Sequence, residues 1–387
     1  MSRKKDDTGV VKPMNPLLEL QKQGQSIWLD YIRRSFLIDG GLKRLIESDG
    51  ITGVTSNPAI FEKAIDDSAD YDDVIRSLLA VQPRMQAKAL YDRLSLEDVR
   101  MAADMLRPIY DRTGGADGYV SLEPPPQATR NVLGTIEEAH RLRKAVGRPN
   151  LMIKVVATQE GISAVEALIA EGINVNITLM FSLRHYEAVA NAYIRGLGRC
   201  AEPSKVASVA SFFVSRVDTQ VDRKLGSNAS PEALALRGKA AIANAKIAYR
   251  RFQEIFYGGA FAAFRQRGAR VQRPLWASTG GKNPDYSDVL YIEELIGRDT
   301  VSTIPPATLD SFREHGRVKG ITILDGVPNA EDHLRHLAAL GIDLGVITEN
   351  LQKDGVVAFA SAYDRVVAAL ERKRLSILAG DLYRETA

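Results

Sequence analysis

Eight short apolar runs with strand-like composition, set apart by longer helical stretches, constrain this 387-residue chain more than any other feature. They fall at 26–31, 51–55, 119–123, 151–156, 173–179, 206–214, 275–278 and 301–304. Helical patterning fills most of the gaps, at 58–111, 129–146, 163–170, 182–195, 231–267 and 286–296, with Ser182 placed as an N-cap. Strand and helix in regular alternation is the grammar of a parallel sheet with right-handed crossovers. An open doubly wound sheet is the rival, but no glycine-rich nucleotide turn follows an early strand. The strand count, and polar residues at the strand ends, favour closure. The expected fold is α/β, a (β/α)8 TIM barrel with extra helices and a C-terminal capping tail. Its expected divisions are an N-terminal extension over 1–19, the barrel over 20–316, and a mainly helical tail over 317–387. Within the tail, 341–347 reads as a further short strand and 358–374 as a helix.

Charge and cysteine content narrow the class. The formal charge is +3, from 51 basic and 48 acidic residues, and the basic clusters at Arg3–Lys5 and Arg372–Arg374 are short. No basic stripe with interleaved aromatics points to nucleic acid. A single cysteine, Cys200, cannot form an internal disulfide or a cysteine metal cluster. No signal peptide or run of about 18 apolar residues is evident, so no membrane partner is expected and the cytoplasm is the default location. The five histidines form no zinc motif; His333 and His336 are expected at the surface. The aromatic series Phe252, Phe256, Tyr257, Phe261 and Phe264 reads as core or subunit packing, so a homo-oligomer is compatible with the sequence but not required by it.

The chemistry gathers at the ends of the strands. Lys154 lies inside the run Leu151-Met152-Ile153-Lys154-Val155-Val156. A buried ammonium is costly unless it is paired or loses its proton, and the neutral amine attacks carbonyls. The plain structural alternative is an ion pair with Glu123 or Asp30. As an enzyme, Lys154 would form a Schiff base with a ketone, and the iminium would accept electrons as the adjacent carbon–carbon bond breaks. Glu123 suits the proton transfers of imine formation through a water. Asp30 suits removal of the hydroxyl proton on the far carbon of the breaking bond. Asn57, Asn176 and Thr178 are candidates for sugar hydroxyls and that water, since unsatisfied amides inside a core are costly. Arg216 ends the run begun by Ser211. Ser278 precedes the Thr279-Gly280-Gly281-Lys282 turn. An arginine fork, a lysine and exposed backbone N–H groups suggest a phosphate-binding rim.

The segments Gly53-Val54-Thr55-Ser56-Asn57-Pro58-Ala59-Ile60-Phe61 and Gly172-Ile173-Asn174-Val175-Asn176-Ile177-Thr178-Leu179-Met180-Phe181-Ser182 strongly resemble transaldolases. The lysine strand, the Ser-Leu-Glu segment ending at Glu123, and Trp276-Ala277-Ser278-Thr279-Gly280 agree in order, over roughly residues 20–315. The longer bacterial branch is the one most resembled. The resemblance implies a (β/α)8 enzyme that moves a dihydroxyacetone unit from sedoheptulose 7-phosphate to glyceraldehyde 3-phosphate. It implies Lys154 as the imine lysine, Glu123 as acid/base through a water that Thr178 helps place, and Asp30 as the retro-aldol carboxylate. Asn57 and Asn176 correspond to donor contacts, Ser211 and Phe213 to pocket walls, and Arg216 and Ser278 to phosphate contacts. It implies no metal or organic cofactor, because the lysine supplies the electron sink. One departure stands out: an arginine that short members use for phosphate is absent after Ser278, and Lys282 is the candidate replacement. A class I sugar-phosphate aldolase and a non-catalytic sugar-phosphate-binding barrel are the rival readings.

Overall fold

A computed structural model describes residues 15–227 and 230–385, with side chains through 379. Arg3–Lys5 and most of the 1–19 extension lie outside the described residues. Eight parallel strands close into a barrel in sequence order. They are β1 (Gln25–Asp30), β2 (Gly53–Thr55), β3 (Tyr119–Leu122), β4 (Leu151–Val156), β5 (Val175–Met180), β6 (Ser208–Phe213), β7 (Arg273–Ala277) and β8 (Thr300–Ile304). β1 pairs with β8 over Gln25↔Thr300 to Leu29↔Ile304, which shuts the cylinder. Closure satisfies every strand edge within the sheet, as a parallel barrel requires.

Side chains alternate across each strand, so one inward residue fixes the parity of its neighbours. Trp28, Tyr119, Met152, Val209, Leu275 and Val301 pack together as an apolar plug inside the barrel. Two residues further along the same strands come Asp30, Ser121, Lys154, Ser211, Ala277 and Thr303, which therefore face inward above that plug. Gly53 makes room for it: a Cβ there would stand 2.4 Å from the Trp28 ring. The indole N–H donates to Asp117 at 2.8 Å, which satisfies the one polar atom in that ring.

The helices up to the barrel's end follow expectation, including two or three over 58–111; those of the tail depart from it. The 58–111 stretch resolves into three, Pro58–Asp66, Asp72–Val81 and Ala87–Arg112. Ser182 caps its helix, accepting from the His185 N–H. Residues 341–347 do not form a strand. Asp343 accepts from the Val346 N–H at 3.0 Å and starts a helix, Leu344–Glu385, that takes in the predicted 358–374 segment. The alternating apolar residues there belong to a helix start with an aspartate cap. His333 is buried rather than at the surface, on the inner stripe of Val327–Ala339 with Ala330 and Leu337, while His336 is exposed. Desolvation, chiefly, pushes the His333 pKa down to about 4. Phe252, Phe256 and Phe261 are core residues and Tyr257 is half exposed.

The long C-terminal helix lies across the barrel rather than apart from it. Arg365 pairs with Glu62 at 2.6 Å, Arg372 with Asp66 at 2.8 Å, and Lys373 with Asp72 at 2.6 Å. Tyr363 meets Tyr91 edge-to-face at 5.3 Å. Among the described residues, no helix is long and apolar enough to cross a membrane.

Candidate active site

Lys154 sits in the middle of β4, buried, with 8% of its surface exposed. Its Nζ lies 3.5 Å from Glu123 Oε2 and donates to the Ser56 carbonyl at 3.3 Å. Glu123 follows the last residue of β3 and is equally buried. Burial raises its pKa above the ordinary glutamate value; Lys154 opposes that rise and the charge of Asp30 adds to it. A carboxyl held this way can give and take a proton beside an amine, which imine chemistry needs.

Asp30 ends β1. Thr55 donates to its Oδ1 at 2.7 Å. With that proton committed, Thr303 supplies the one in the 2.7 Å contact between the two threonine hydroxyls. The pair of threonines therefore fixes the carboxylate from the β2 and β8 side. Asn176 is fully buried on β5, beside Lys154 in register. Its amide donates to Ser121 Oγ at 2.9 Å and its carbonyl accepts from Ser211 at 2.7 Å. A polar layer thus runs across β3, β5 and β6 directly above the apolar plug.

Asn57 has two faces. Its Oδ1 caps helix Pro58–Asp66 by accepting the Ile60 N–H at 3.1 Å, which leaves its Nδ2 donors without a partner among the described residues. Thr178 is buried near the end of β5. The next residue, Leu179, has φ +60°, and the β5–β6 register shifts between Ile177 and Met180. Ser278, just past β7, has φ +58° and meets Ser215 Oγ at 2.9 Å. Left-handed backbone at a non-glycine residue costs on the order of 1–3 kcal/mol and collects at functional sites. Two of the three such residues described lie at this rim.

Arg216 is exposed at the mouth and makes no ion pair among the described residues. Its guanidinium lies over the Phe213 ring at 5.3 Å, and Phe213 in turn packs on Phe181 with centroids 5.1 Å apart. Lost hydration lowers the arginine pKa from its usual value, and Asp30 pulls it back up. A cavity of about 870 Å³ opens beside it, lined in part by Tyr31, Arg33, Asn57, Lys63 and Arg216. Lys154 and Glu123 are not on its wall; they lie toward the barrel interior by strand parity. Lys282 is exposed and lines a different recess, of about 400 Å³, with Asp218, Asp222 and Tyr286. The structure thus gathers Lys154, Glu123 and Asp30, with Asn57, Asn176, Thr178, Ser211, Phe213, Arg216 and Ser278 around them. It sets Lys282 apart.

Three supporting residues were not singled out from the sequence. Ser121 was within reach of it, standing two before Glu123 on the same face. Thr55 stands two beyond Gly53, in a run too short to show its parity. Gln352 was out of reach: it donates from the C-terminal helix to the carbonyls of Ala157 at 2.9 Å and Leu179 at 3.1 Å.

The family model for transaldolase/fructose-6-phosphate aldolase matches residues 27–370. A transaldolase of Thiobacillus denitrificans is 45% identical over 361 residues, spanning 92% of this chain and 100% of its own. One of Mycobacterium marinum is 45% identical over 363 residues, spanning 92% and 97%. One of Thermobifida fusca is 44% identical over 361 residues, spanning 91% and 96%.

Proposed function

The chain belongs to the transaldolase/fructose-6-phosphate aldolase family, and on that premise we propose that Lys154 carries a dihydroxyacetone unit, as a Schiff base, between sugar phosphates. The donor is sedoheptulose 7-phosphate and the acceptor glyceraldehyde 3-phosphate. The products are erythrose 4-phosphate and fructose 6-phosphate, and the reaction is reversible. The observation that carries this reading is the buried Lys154 amine, 3.5 Å from the Glu123 carboxyl, at the inner end of a polar barrel mouth.

The steps follow from the groups present. The neutral amine adds to the ketose carbonyl, and Glu123, through a water that Thr178 orients, shuttles the protons that turn the carbinolamine into an iminium and release water. Asp30 takes the hydroxyl proton on the far carbon of the breaking bond. That bond's electrons move into the iminium, giving an enamine and a free aldose. The reverse sequence on the acceptor aldehyde forms the new bond, and hydrolysis frees Lys154. Asn176 and the Nδ2 of Asn57 hold donor hydroxyls, Ser211 and Phe213 shape the wall, and Arg216 with Ser278 meets phosphate. Lys282 remains the candidate replacement for the missing arginine by its place after the glycine turn alone, since it lines another recess.

Borohydride reduction with fructose 6-phosphate tests the reading. Intact-mass and peptide analysis are expected to locate a three-carbon adduct on Lys154, and transfer to erythrose 4-phosphate is expected to exceed release of free dihydroxyacetone. No adduct in folded, ligand-saturated protein leaves a binding barrel; dominant release leaves an aldolase. Arg216→Ala is expected to lower kcat/KM for fructose 6-phosphate roughly 10- to 100-fold, as loss of a charged hydrogen-bond partner does. It should affect the unphosphorylated donor dihydroxyacetone far less. Equal losses on both donors remove the phosphate assignment.

A further inference from the structure

The C-terminal helix reaches the active-site rim at one place. Gln352 is half-buried there and its Nε2 donates to two carbonyls, Ala157 just past β4 and Leu179 near the end of β5. Ala157 also donates its own N–H to the Thr178 carbonyl at 2.9 Å, so one side chain ties together the two strands that carry Lys154 and Thr178. Leu179 is the residue with φ +60°, at the register shift in β5. Its left-handed backbone turns the peptide that follows Thr178, and that conformation persists only where neighbours over-determine it.

Two further contacts from the same helix converge on this point. Gly355, one turn on, lies against the Leu179 side chain so closely that a Cβ would stand 2.9 Å from Leu179 Cδ2. Glu349, three residues before Gln352, accepts from His185 Nε2 at 2.8 Å and also pairs with Arg184. His185 Nδ1 in turn accepts the Phe181 N–H at 3.4 Å, which assigns the neutral ring its Nε2–H tautomer. The helix therefore holds β5 on both sides of Met180: at Leu179 directly, and at Phe181 through His185.

We infer that Gln352 is a positioning residue for the proton-transfer step: by clamping the Leu179 and Ala157 carbonyls it sets the orientation of the Thr178 hydroxyl toward the catalytic water, so the C-terminal helix is part of the active site's working geometry. This rests on the reading of Lys154, Glu123 and Thr178 above. Gln352 touches no reacting atom. Its loss misplaces Thr178 while leaving the hydroxyl-binding and phosphate-binding groups where they are.

Three variants test the clamp. Gln352→Met keeps the volume and removes both donors. Gly355→Ala keeps the donors and pushes on Leu179; it improves helix propensity, so the helix is retained. Arg365→Ala removes a tail contact to Glu62 that does not involve β4 or β5. Transfer kinetics and the rate of borohydride trapping with fructose 6-phosphate are measured on each. Gln352→Met is expected to lower kcat and the trapping rate by about 10- to 100-fold, with KM changed less than about twofold, because small misplacements of catalytic groups act on the chemical step. Gly355→Ala is expected to show the same split in milder form, and Arg365→Ala to behave as wild type. Wild-type kcat and trapping in Gln352→Met overturn the inference. So does an equal loss in Arg365→Ala, which reports general undocking of the tail. If Gln352→Met does not fold, Gln352→Leu, which also removes both donors, decides, and wild-type kcat there overturns the inference. A wild-type protein that forms no adduct at Lys154 refutes the Schiff-base reading instead, a result distinct from any of these.

Discussion

Lys154→Ala is expected to abolish the trapped adduct and to lower transfer by roughly 10^5-fold, the scale seen when a nucleophile is removed from a set of groups that act as a unit. The barrel should still close, since Met152 and Val156 continue the inward face of β4 and the strand pairing is backbone-made. The cost in stability should depend on pH. Glu123 has its folded-state pKa raised by burial, and Lys154 pulls that pKa down. A carboxyl with a raised folded pKa stabilises the native state fully below its unfolded value, and that contribution is lost as pH rises through the folded value. Without Lys154 the folded value climbs further, so the variant should lose more stability at pH 8 than at pH 5. Thermal melts of both proteins at the two pH values check this; a pH-independent difference would mean that the amine and the carboxyl do not interact as their 3.5 Å separation indicates.

Asp30→Ala is expected to separate imine formation from bond cleavage. Trapping with fructose 6-phosphate should persist near the wild-type level, because Asp30 is held by Thr55, which Thr303 contacts in turn, and it makes no ion pair with Lys154 among the described residues. Turnover should fall about 10²- to 10⁴-fold, the range for loss of a positioned base. Comparing single-turnover trapping with steady-state transfer makes the division visible. If trapping and turnover fall together, Asp30 serves the imine step and the roles assigned to the two carboxylates must be redrawn.

The barrel and the clustering of the candidate site residues were legible because both rest on local period. A lysine in an apolar run, with Met two before it, has one inward parity, and Glu123 shares the parity of Tyr119 and Ser121. Closure of eight strands then brings those faces together without further instruction. The tail was less legible. Its Gly-Ile-Asp-Leu-Gly-Val-Ile segment alternates like a strand, yet Asp343 caps a helix. His333 was expected at the surface, whereas the helix turns it inward against its neighbours. Gln352 lies 173 residues from Leu179, and nothing in its local pattern marks it as a partner of a bent strand end. Lys282 shows the converse limit. Its place after a glycine turn is suggestive, but the turn directs it to a recess shared with Asp218 and Asp222.

The Trp28, Tyr119 and Met152 plug carries one more implication. With the floor of the cylinder filled by rings and a thioether, sugars have only the upper doorway for entry and exit. On the Schiff-base reading proposed above, the outgoing aldose and the incoming one share that doorway. On that same reading the three-carbon fragment waits on Lys154 between the two visitors, and its lifetime against stray water is the quantity that separates clean transfer from leakage.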